Sequence, residues 1–158
     1  MTSDRPPRAL IFIVAYYAES TIMEVLRRIP ALPVYEAEVL IIDDCSGDAT
    51  YALSDELRRL GTYRHKLTVL TNPVNQGYGG NQKLGYHYAI EQGFDYVALL
   101  HGDAQYAPEM LPDLFAPLAA ELASGRTTAG QIGTPTTDYI PALIEAPACR
   151  GKEIHGMV

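Results

Sequence analysis

Short apolar runs alternate with amphipathic segments along most of this chain. The apolar runs predict strands at 9–15, 39–42, 66–71 and 94–100. Between and after them, apolar residues recur at the spacing of one helical face, which predicts helices at 21–29, 48–60, 81–92 and from 108 onward. Strands that alternate with helices indicate an α/β protein with right-handed crossovers and a parallel sheet, and near-continuous apolar strands fit a sheet covered on both faces.

Capping signals support these helices. Thr21 and Glu24 have the T-x-x-E spacing of a capping box, and Asp48 is placed as an N-cap rather than as a ligand. Gly61 and Gly93 follow the last apolar positions of two helices, where glycine commonly ends a helix. The pattern therefore gives both the type and the approximate ends of the elements.

The periodic pattern stops at residue 124. Gly, Thr and Pro dominate 124–141, and no period persists to Val158. The sequence therefore predicts a disordered N-terminus at 1–8, an α/β domain at 9–123, and a divergent or poorly ordered tail at 124–158.

Composition narrows the classes of protein. With 158 residues, of which 47% are hydrophobic, the chain can build one domain with a real core. A net charge of -7 argues against a nucleic-acid-binding surface. Cys45 and Cys149 have no metal-site or disulfide spacing, which favours a reducing, cytoplasmic setting. No apolar run approaches the length of a membrane span, so we expect peripheral membrane contact at most.

The second strand runs directly into two adjacent carboxylates, Asp43 and Asp44. Charges at the mouth of a buried strand need partners, and ligands bind at the carboxyl ends of parallel strands. Carboxylates accept hydrogen bonds from the N–H edge of uracil or guanine and from ribose hydroxyls, so we predict that both bind a nucleotide. A phosphoacceptor pocket of the response-regulator type is disfavoured because the pair follows the second strand and 71–74 contains no Asp.

The first loop carries Ala15, Tyr16 and Glu19 at the end of the first strand. Tyr and Glu there are suited to gripping a ribose or a base, and we predict all three as nucleotide contacts. For Glu19, an acid favoured by the dipole at a helix start is the alternative.

The third loop is rich in glycine. Its predicted nucleotide contacts are Asn75, Gly77, Gly79 and Lys83. Glycine permits close backbone approach to a ligand, and a helix N-terminus can receive an anion. A turn before a closely packed helix explains the glycines equally well, and the string is neither the dinucleotide fingerprint nor the phosphate loop.

The fourth loop holds His101, Gly102, Asp103 and Gln105. In an extended loop, side chains at alternating positions point the same way. Imidazole, carboxylate and amide oxygen form a set suited to Mn²⁺ or Mg²⁺ carrying a diphosphate, so we predict His101, Asp103 and Gln105 as metal ligands and Gly102 as a nucleotide contact. A structural role is the alternative for the histidine.

Together the four loops resemble those of family 2 glycosyltransferases with the GT-A fold, closest in style to the dolichyl-phosphate mannosyltransferase and polyprenyl-phosphate sugar transferase branch. The resemblance covers about residues 9 to 122. The matching motifs are V-D-D-x-S-x-D-x-T at Asp43, Asp44, Ser46, Asp48 and Thr50, N-x-G-x-G at Asn75, Gly77 and Gly79, and the end of D-x-D-x-Q at Asp103 and Gln105. Tyr17 replaces a common Asn, and His101 replaces the first Asp of D-x-D.

The resemblance implies a Rossmann-like, mostly parallel sheet flanked by helices, and sugar transfer with inversion from a UDP- or GDP-sugar. It implies that Asp43 and Asp44 hold base and ribose, while Asp103 holds Mn²⁺ or Mg²⁺ with Gln105 and His101. The implied acceptor is a polyprenyl phosphate or a glycan. The expected location is the cytoplasm, with the inner face of the membrane as an option. No catalytic base is assigned, and the family's acceptor-side segment is not recognisable in 124–158. A truncated or degenerate domain that binds nucleotide without transfer is the alternative.

Overall fold

A five-stranded sheet with the strand order β3-β2-β1-β4-β5 organises the fold. The structure is a computed structural model and describes residues 5–123 and 143–145. The strands are β1 Arg8–Ala15, β2 Glu36–Asp43, β3 Lys66–Thr71, β4 Tyr96–His101 and β5 Leu143–Glu145. The helices are α1 Ile22–Arg28, α2 Thr50–Leu60, α3 Gly77–Glu91 and α4 Leu111–Ala123, the last preceded by a short 3₁₀ turn, Pro108–Met110.

The strands β1 to β4 are parallel, whereas β5 runs antiparallel to β4. From β1 the chain moves outward to β2 and β3, then returns to place β4 on the other side of β1. This reversal creates a switch point at the carboxyl ends of β1 and β4, where α/β sheets bind ligands. Ala15 is level with Asp43, and Val14 is level with His101, so the register brings the strand-end loops together. The expected mostly parallel α/β sheet is therefore confirmed.

Alternate residues of β1 supply two separate cores. Ile11 and Ile13 lie in the cluster that also contains Leu26 of α1 and Phe115 of α4. On the other sheet face, Phe12 packs in a cluster with residues of α3 and β4. Helices thus cover both faces of the central strand, which explains why this strand is apolar at consecutive positions.

Most predicted elements are present with shifted ends. The strand at 66–71 has the predicted bounds, whereas α3 begins at Gly77 and includes glycines that were assigned to a loop. The capping box predicted at Thr21 is wrong, because this side chain makes no cap hydrogen bond. Its hydroxyl instead donates to the carbonyl oxygen of Gly102, 2.6 Å away, and thereby ties α1 to the fourth loop.

The structure describes only part of the two terminal segments. Residues 1–4 lie outside the described part of the chain, but Arg5 pairs with Asp95 at 3.0 Å. Arg8 already begins β1 and pairs with the buried Glu38 at 3.1 Å, which Lys66 approaches to 3.0 Å. The predicted divergent tail at 124–158 lies outside the described residues, except that Leu143–Glu145 forms the edge strand β5. Among the residues that the structure describes, no helix is long and apolar enough to cross a membrane.

The close packing of α3 on β1 gives a stability prediction. A Cβ atom added to Gly85 of α3 would lie 2.0 Å from Cε1 of the buried Phe12, so we expect Gly85→Ala to destabilise the fold by about 1–3 kcal/mol through overpacking. Gly79→Ala is the matched control, because nothing lies within 4 Å of its added Cβ atom. In urea unfolding, the control should be neutral or slightly stabilising. Equal stability of the two variants would contradict the close packing of α3 on β1.

Candidate functional site

A cavity of about 310 Å³ opens at the carboxyl edge of the sheet. It lies where the ends of β1 and β4 meet the first turns of α3, at the switch point of the sheet. Its walls are formed by Val14, Ala15, Tyr16, Asp44, Asn75, Gly77, Tyr78, Asn81, His101, Gly102 and Asp103. All four strand-end loops therefore contribute to one concave site, as expected for ligand binding by an open parallel sheet.

Most of the predicted site residues line this cavity. Those that line it are Ala15, Tyr16, Asp44, Asn75, Gly77, His101, Gly102 and Asp103. Those that do not line it are Glu19, Asp43, Gly79, Lys83 and Gln105. The sequence reasoning missed Val14, Tyr78 and Asn81. A helical repeat from Gly77 would have indicated Asn81, which lies four residues later, had the start of α3 been placed at residue 77.

Of the two adjacent carboxylates after β2, Asp44 is the one that lines the cavity, and the third loop holds it in place. Its Oδ1 atom accepts hydrogen bonds from Asn72 Nδ2 at 2.7 Å and from the backbone N–H of Gln76 at 2.8 Å. Its backbone oxygen accepts a hydrogen bond from Asn75 Nδ2 at 3.2 Å. Asp44 is only 3% exposed, so these bonds compensate for the burial of its charge. The polar residues before α3 therefore shape one wall by fixing this carboxylate.

Asp43 has a different role in the structure, although it is adjacent to Asp44. It is 1% exposed, and its carboxylate accepts hydrogen bonds from the backbone N–H and the hydroxyl of Ser46. Thr71 Oγ1 donates a further bond at 3.2 Å. The carboxylate thus closes the turn after β2 and ties it to the end of β3. Its predicted contact with a nucleotide stays a prediction, with its oxygens engaged in these bonds.

The first and second loops are joined by reciprocal hydrogen bonds. Thr50 Oγ1 accepts from the backbone N–H of Ala18 at 2.8 Å, and Asp48 Oδ2 accepts from the N–H of Glu19 at 3.2 Å. In return, Glu19 Oε2 accepts from the N–H of Ala49 at 2.9 Å. Glu19 is therefore an acid at a helix start, but the helix is α2 rather than α1. Several motif residues act by positioning the loop that follows β1.

His101 sits between two aromatic rings. A hydrogen bond of 2.9 Å joins its Nε2 atom to the hydroxyl of Tyr78, and the ring of Tyr106 lies edge-on with 4.6 Å between centroids. Burial lowers the pKa of His101 below its ordinary value, and the neighbouring carboxylate of Asp103 opposes that shift. The imidazole is therefore held in the neutral form at neutral pH, and one of its nitrogens is already occupied.

Asp103 follows β4 and lines the cavity on the other side of β1 from Asp44, which follows β2. Its Oδ1 atom accepts the backbone N–H of Gln105 at 3.1 Å, and the side chain is exposed. Within the described residues, no group of three His, Cys, Asp or Glu side chains is arranged to hold a metal ion. Mg²⁺ is commonly bound through one or two carboxylates together with substrate phosphates. Asp103 therefore fits an ion that a diphosphate helps to hold, whereas Gln105 does not reach the cavity wall.

Two exposed tyrosines follow β1, and the first of them, Tyr16, lines the cavity. Tyr16 and Tyr17 are 55% and 58% exposed, and their rings pack edge-to-face at 4.7 Å. Tyr17 has a φ of 49°, an uncommon backbone conformation for a residue other than glycine. Its N–H donates to Ser46 Oγ at 2.8 Å, so the second loop stabilises this conformation. The strained backbone at the rim is therefore set by the same turn that buries Asp43.

Comparison with known families gives one match over most of the chain. The sequence model of the family described as "Glycosyl transferase family 2" matches residues 10–143. This match includes all four loops that build the cavity.

Two curated proteins are similar to the chain. An undecaprenyl-phosphate mannosyltransferase of Micrococcus luteus is 31% identical over 108 residues, which are 68% of this chain and 42% of the relative. A polyprenol monophosphomannose synthase of Mycolicibacterium smegmatis is 28% identical over 121 residues, 75% of this chain and 44% of the relative. The chain thus matches less than half the length of these relatives.

Solved structures share the fold at low sequence identity. A TarS fragment of S. aureus in complex with UDP-GlcNAc has a TM-score of 0.63 and 18% identity, over 90% of this chain and 46% of that one. The mannosyltransferase PcManGT of Pyrobaculum calidifontis, in complex with GDP-Man and Mn²⁺, has a TM-score of 0.58 and 17% identity, over 84% of this chain and 37% of that one. These similarities confirm the expected GT-A fold.

The hydrogen bond between the first and second loops gives a testable prediction. Thr50 and Ala18 are both buried, so Thr50→Val would leave the N–H of Ala18 without its acceptor. We expect the free energy of unfolding to fall by about 1–3 kcal/mol. Thr50→Ser is the matched control, because it keeps the acceptor and loses one methyl group, worth about 0.8 kcal/mol. If chemical denaturation found the Val variant as stable as the Ser variant, this hydrogen bond would not hold the first loop.

Proposed function

Because this chain belongs to glycosyl transferase family 2, we propose that it transfers a sugar, with inversion, from a UDP- or GDP-sugar bound in the cavity at the carboxyl edge of the sheet. The observation that carries the proposal is that two carboxylates line that cavity on opposite sides of β1, Asp44 after β2 and Asp103 after β4, which gives the site an Asp44 end and an Asp103 end. The two ends differ in what surrounds each carboxylate. This difference determines which end binds the base of the donor and which end binds its diphosphate.

The Asp44 end is suited to the base and ribose. Asp44 is buried, and its Oδ2 atom accepts no hydrogen bond from the described residues, so it can accept from an N–H or a hydroxyl of the ligand. The exposed Asp103 is better suited to a hydrated divalent ion that carries a diphosphate, because Asp44 is buried and its Oδ1 atom is already engaged by two donors. Ala15 and Tyr16 stand at the end of β1, the strand between β2 and β4, so they lie between these two ends, where the nucleoside would pass.

The Asp103 end is suited to the diphosphate together with a divalent ion. We assign Asp103 as the protein ligand of Mn²⁺ or Mg²⁺, with phosphate oxygens and water completing the coordination. The bound ion would neutralise the charge that builds on the departing diphosphate. PcManGT, which shares the fold, was solved with GDP-Man and Mn²⁺, which supports the assignment. His101, bonded to Tyr78 and neutral, would position the loop beside the diphosphate.

A polyprenyl phosphate is the acceptor that the chemistry favours. Its phosphate oxygen is already anionic and needs little help from a general base, whereas a glycan hydroxyl would need one. Asp44 and Asp103, the carboxylates that line the cavity, have the roles given above. The names of both curated relatives specify polyprenyl-type phosphate chemistry. Such an acceptor would bring the protein to the inner face of the membrane by peripheral contact, with the site in the cytoplasm.

A domain that binds nucleotide without transfer is the second candidate. The observation that favours it is that the carboxylates in the cavity wall, Asp44 and Asp103, are both used for donor binding in the account above. No described residue is assigned as a catalytic base. The two candidates share the nucleotide site and differ in turnover.

Calorimetric titration with UDP and GDP, with and without Mn²⁺, tests the nucleotide site. We expect binding of at least one nucleotide that Mn²⁺ strengthens, and a loss of that Mn²⁺ effect in Asp103→Asn. Asp113→Asn, an exposed acid on α4 that does not line the cavity, is the matched control and should behave as the parent chain. Transfer of the sugar from the preferred donor to a polyprenyl phosphate is then measured by detecting the product.

The outcomes separate the candidates. Binding with transfer supports the glycosyltransferase, and binding without donor turnover supports the binding-only domain. If neither nucleotide bound, both candidates would fail.

A further inference from the structure

Asn81 carries a buried polar atom that the fold leaves unsatisfied. It lies in α3, is 2% exposed and lines the cavity. Within the described part of the chain, its Oδ1 atom is the one buried side-chain nitrogen or oxygen without a hydrogen-bond partner. An unpaired buried acceptor is costly, and each such atom in a folded protein needs an explanation.

The orientation of the Asn81 amide follows from its single contact. Its Nδ2 atom donates to the backbone oxygen of Ile42 at 2.9 Å. A carbonyl oxygen only accepts hydrogen bonds, so the NH₂ group must face Ile42, and exchanging the amide nitrogen and oxygen would place two acceptors against each other. The Oδ1 atom is therefore the polar atom that remains for a ligand in the adjoining cavity.

Asp44 supplies a second acceptor in the wall of the same cavity. Asn81 is anchored on Ile42, which precedes Asp44 by two residues at the end of β2. The Oδ1 atom of Asp44 already accepts two hydrogen bonds, from Asn72 and Gln76, and a carboxylate oxygen has about two acceptor sites. A ligand can therefore use only Oδ2 of this carboxylate. Two acceptors from two different side chains, Oδ1 of Asn81 and Oδ2 of Asp44, therefore remain for a ligand.

This arrangement discriminates between the two bases that the proposed function leaves open. The Watson–Crick edge of guanine presents two neighbouring donors, N1–H and the exocyclic NH₂ group. Uracil presents one donor, N3–H, between two carbonyl oxygens, and one of these oxygens would face an acceptor of the protein. We infer that Asn81 is a specificity-determining residue that accepts a hydrogen bond from guanine, so that the donor is a GDP-sugar. This inference rests on the proposed nucleotide site and deepens it.

Three nucleotides test the inference by calorimetric titration. GDP offers two donors, whereas IDP, which lacks the exocyclic amine, and UDP each offer one. We expect the parent chain to bind GDP at least about tenfold more tightly than IDP or UDP, because a missing donor leaves a buried acceptor unpaired. In Asn81→Leu, GDP affinity should fall to near that of IDP, and IDP affinity should change by less than about threefold.

Gln82→Leu is the matched control, since it makes the same change from an amide to an apolar residue one position along α3 and outside the cavity wall. It should keep the parent preference for GDP, and circular dichroism checks that each variant is folded. The comparison of GDP with IDP in the parent chain needs no variant, so it decides the matter even if Asn81→Leu does not fold.

Several results would overturn the inference. One is equal affinity of the parent chain for GDP and IDP. Another is a loss in Asn81→Leu that is the same for all three nucleotides, which would place Oδ1 against the ribose. Tighter binding of UDP than of GDP would also contradict it while leaving the proposed function intact. Absence of binding by all three nucleotides would instead remove the proposed function, and the inference with it.

Discussion

Two carboxylates at the buried end of β2 must be compensated by hydrogen bonds, and the loops around them are arranged by that requirement. Asp43 accepts hydrogen bonds from the N–H and hydroxyl of Ser46 and from the hydroxyl of Thr71. Asp44 accepts hydrogen bonds from donors of the third loop. In the same segment, the hydroxyls of Ser46 and Thr50 accept hydrogen bonds from backbone N–H groups of the first loop. One short segment thus fixes three of the four loops that form the cavity, because an unpaired charge at this depth would oppose folding.

The sequence could not show that the neighbouring carboxylates Asp43 and Asp44 have different roles. Two adjacent residues after a strand face different directions, but which one meets a ligand depends on the loops that pack against them. Asp44 lines the cavity, and Asp43 is enclosed by its own turn. The role of Glu19 could not be predicted for the same reason, because it accepts a hydrogen bond from the N–H of Ala49, which lies 30 residues later in the chain.

The order of strands and helices was predictable, because apolar runs and helical periods are local signals. The start of α3 was not, since the three glycines at 77, 79 and 80 disfavour a helix locally and tertiary packing overrides them. Gly85 shows why glycine is found in this helix at all, because α3 lies so close to Phe12 that a side chain would not fit. That close approach places Gly77, Tyr78 and Asn81 in the cavity wall, which is why two of these three were missed.

The central claim is that a nucleotide lies along the cavity with its base at Asp44 and its diphosphate at Asp103. Backbone amide NMR spectra of the isotopically labelled chain with GDP and Mn²⁺ test this most directly. Paramagnetic broadening should be strongest at Gly102 and Asp103, while diamagnetic GDP with Mg²⁺ should shift the amide signals of Gly77 and Asn81. Broadening centred on Asp44, or shifts confined to the opposite edge of the sheet near Glu36 and Asp95, would contradict the account.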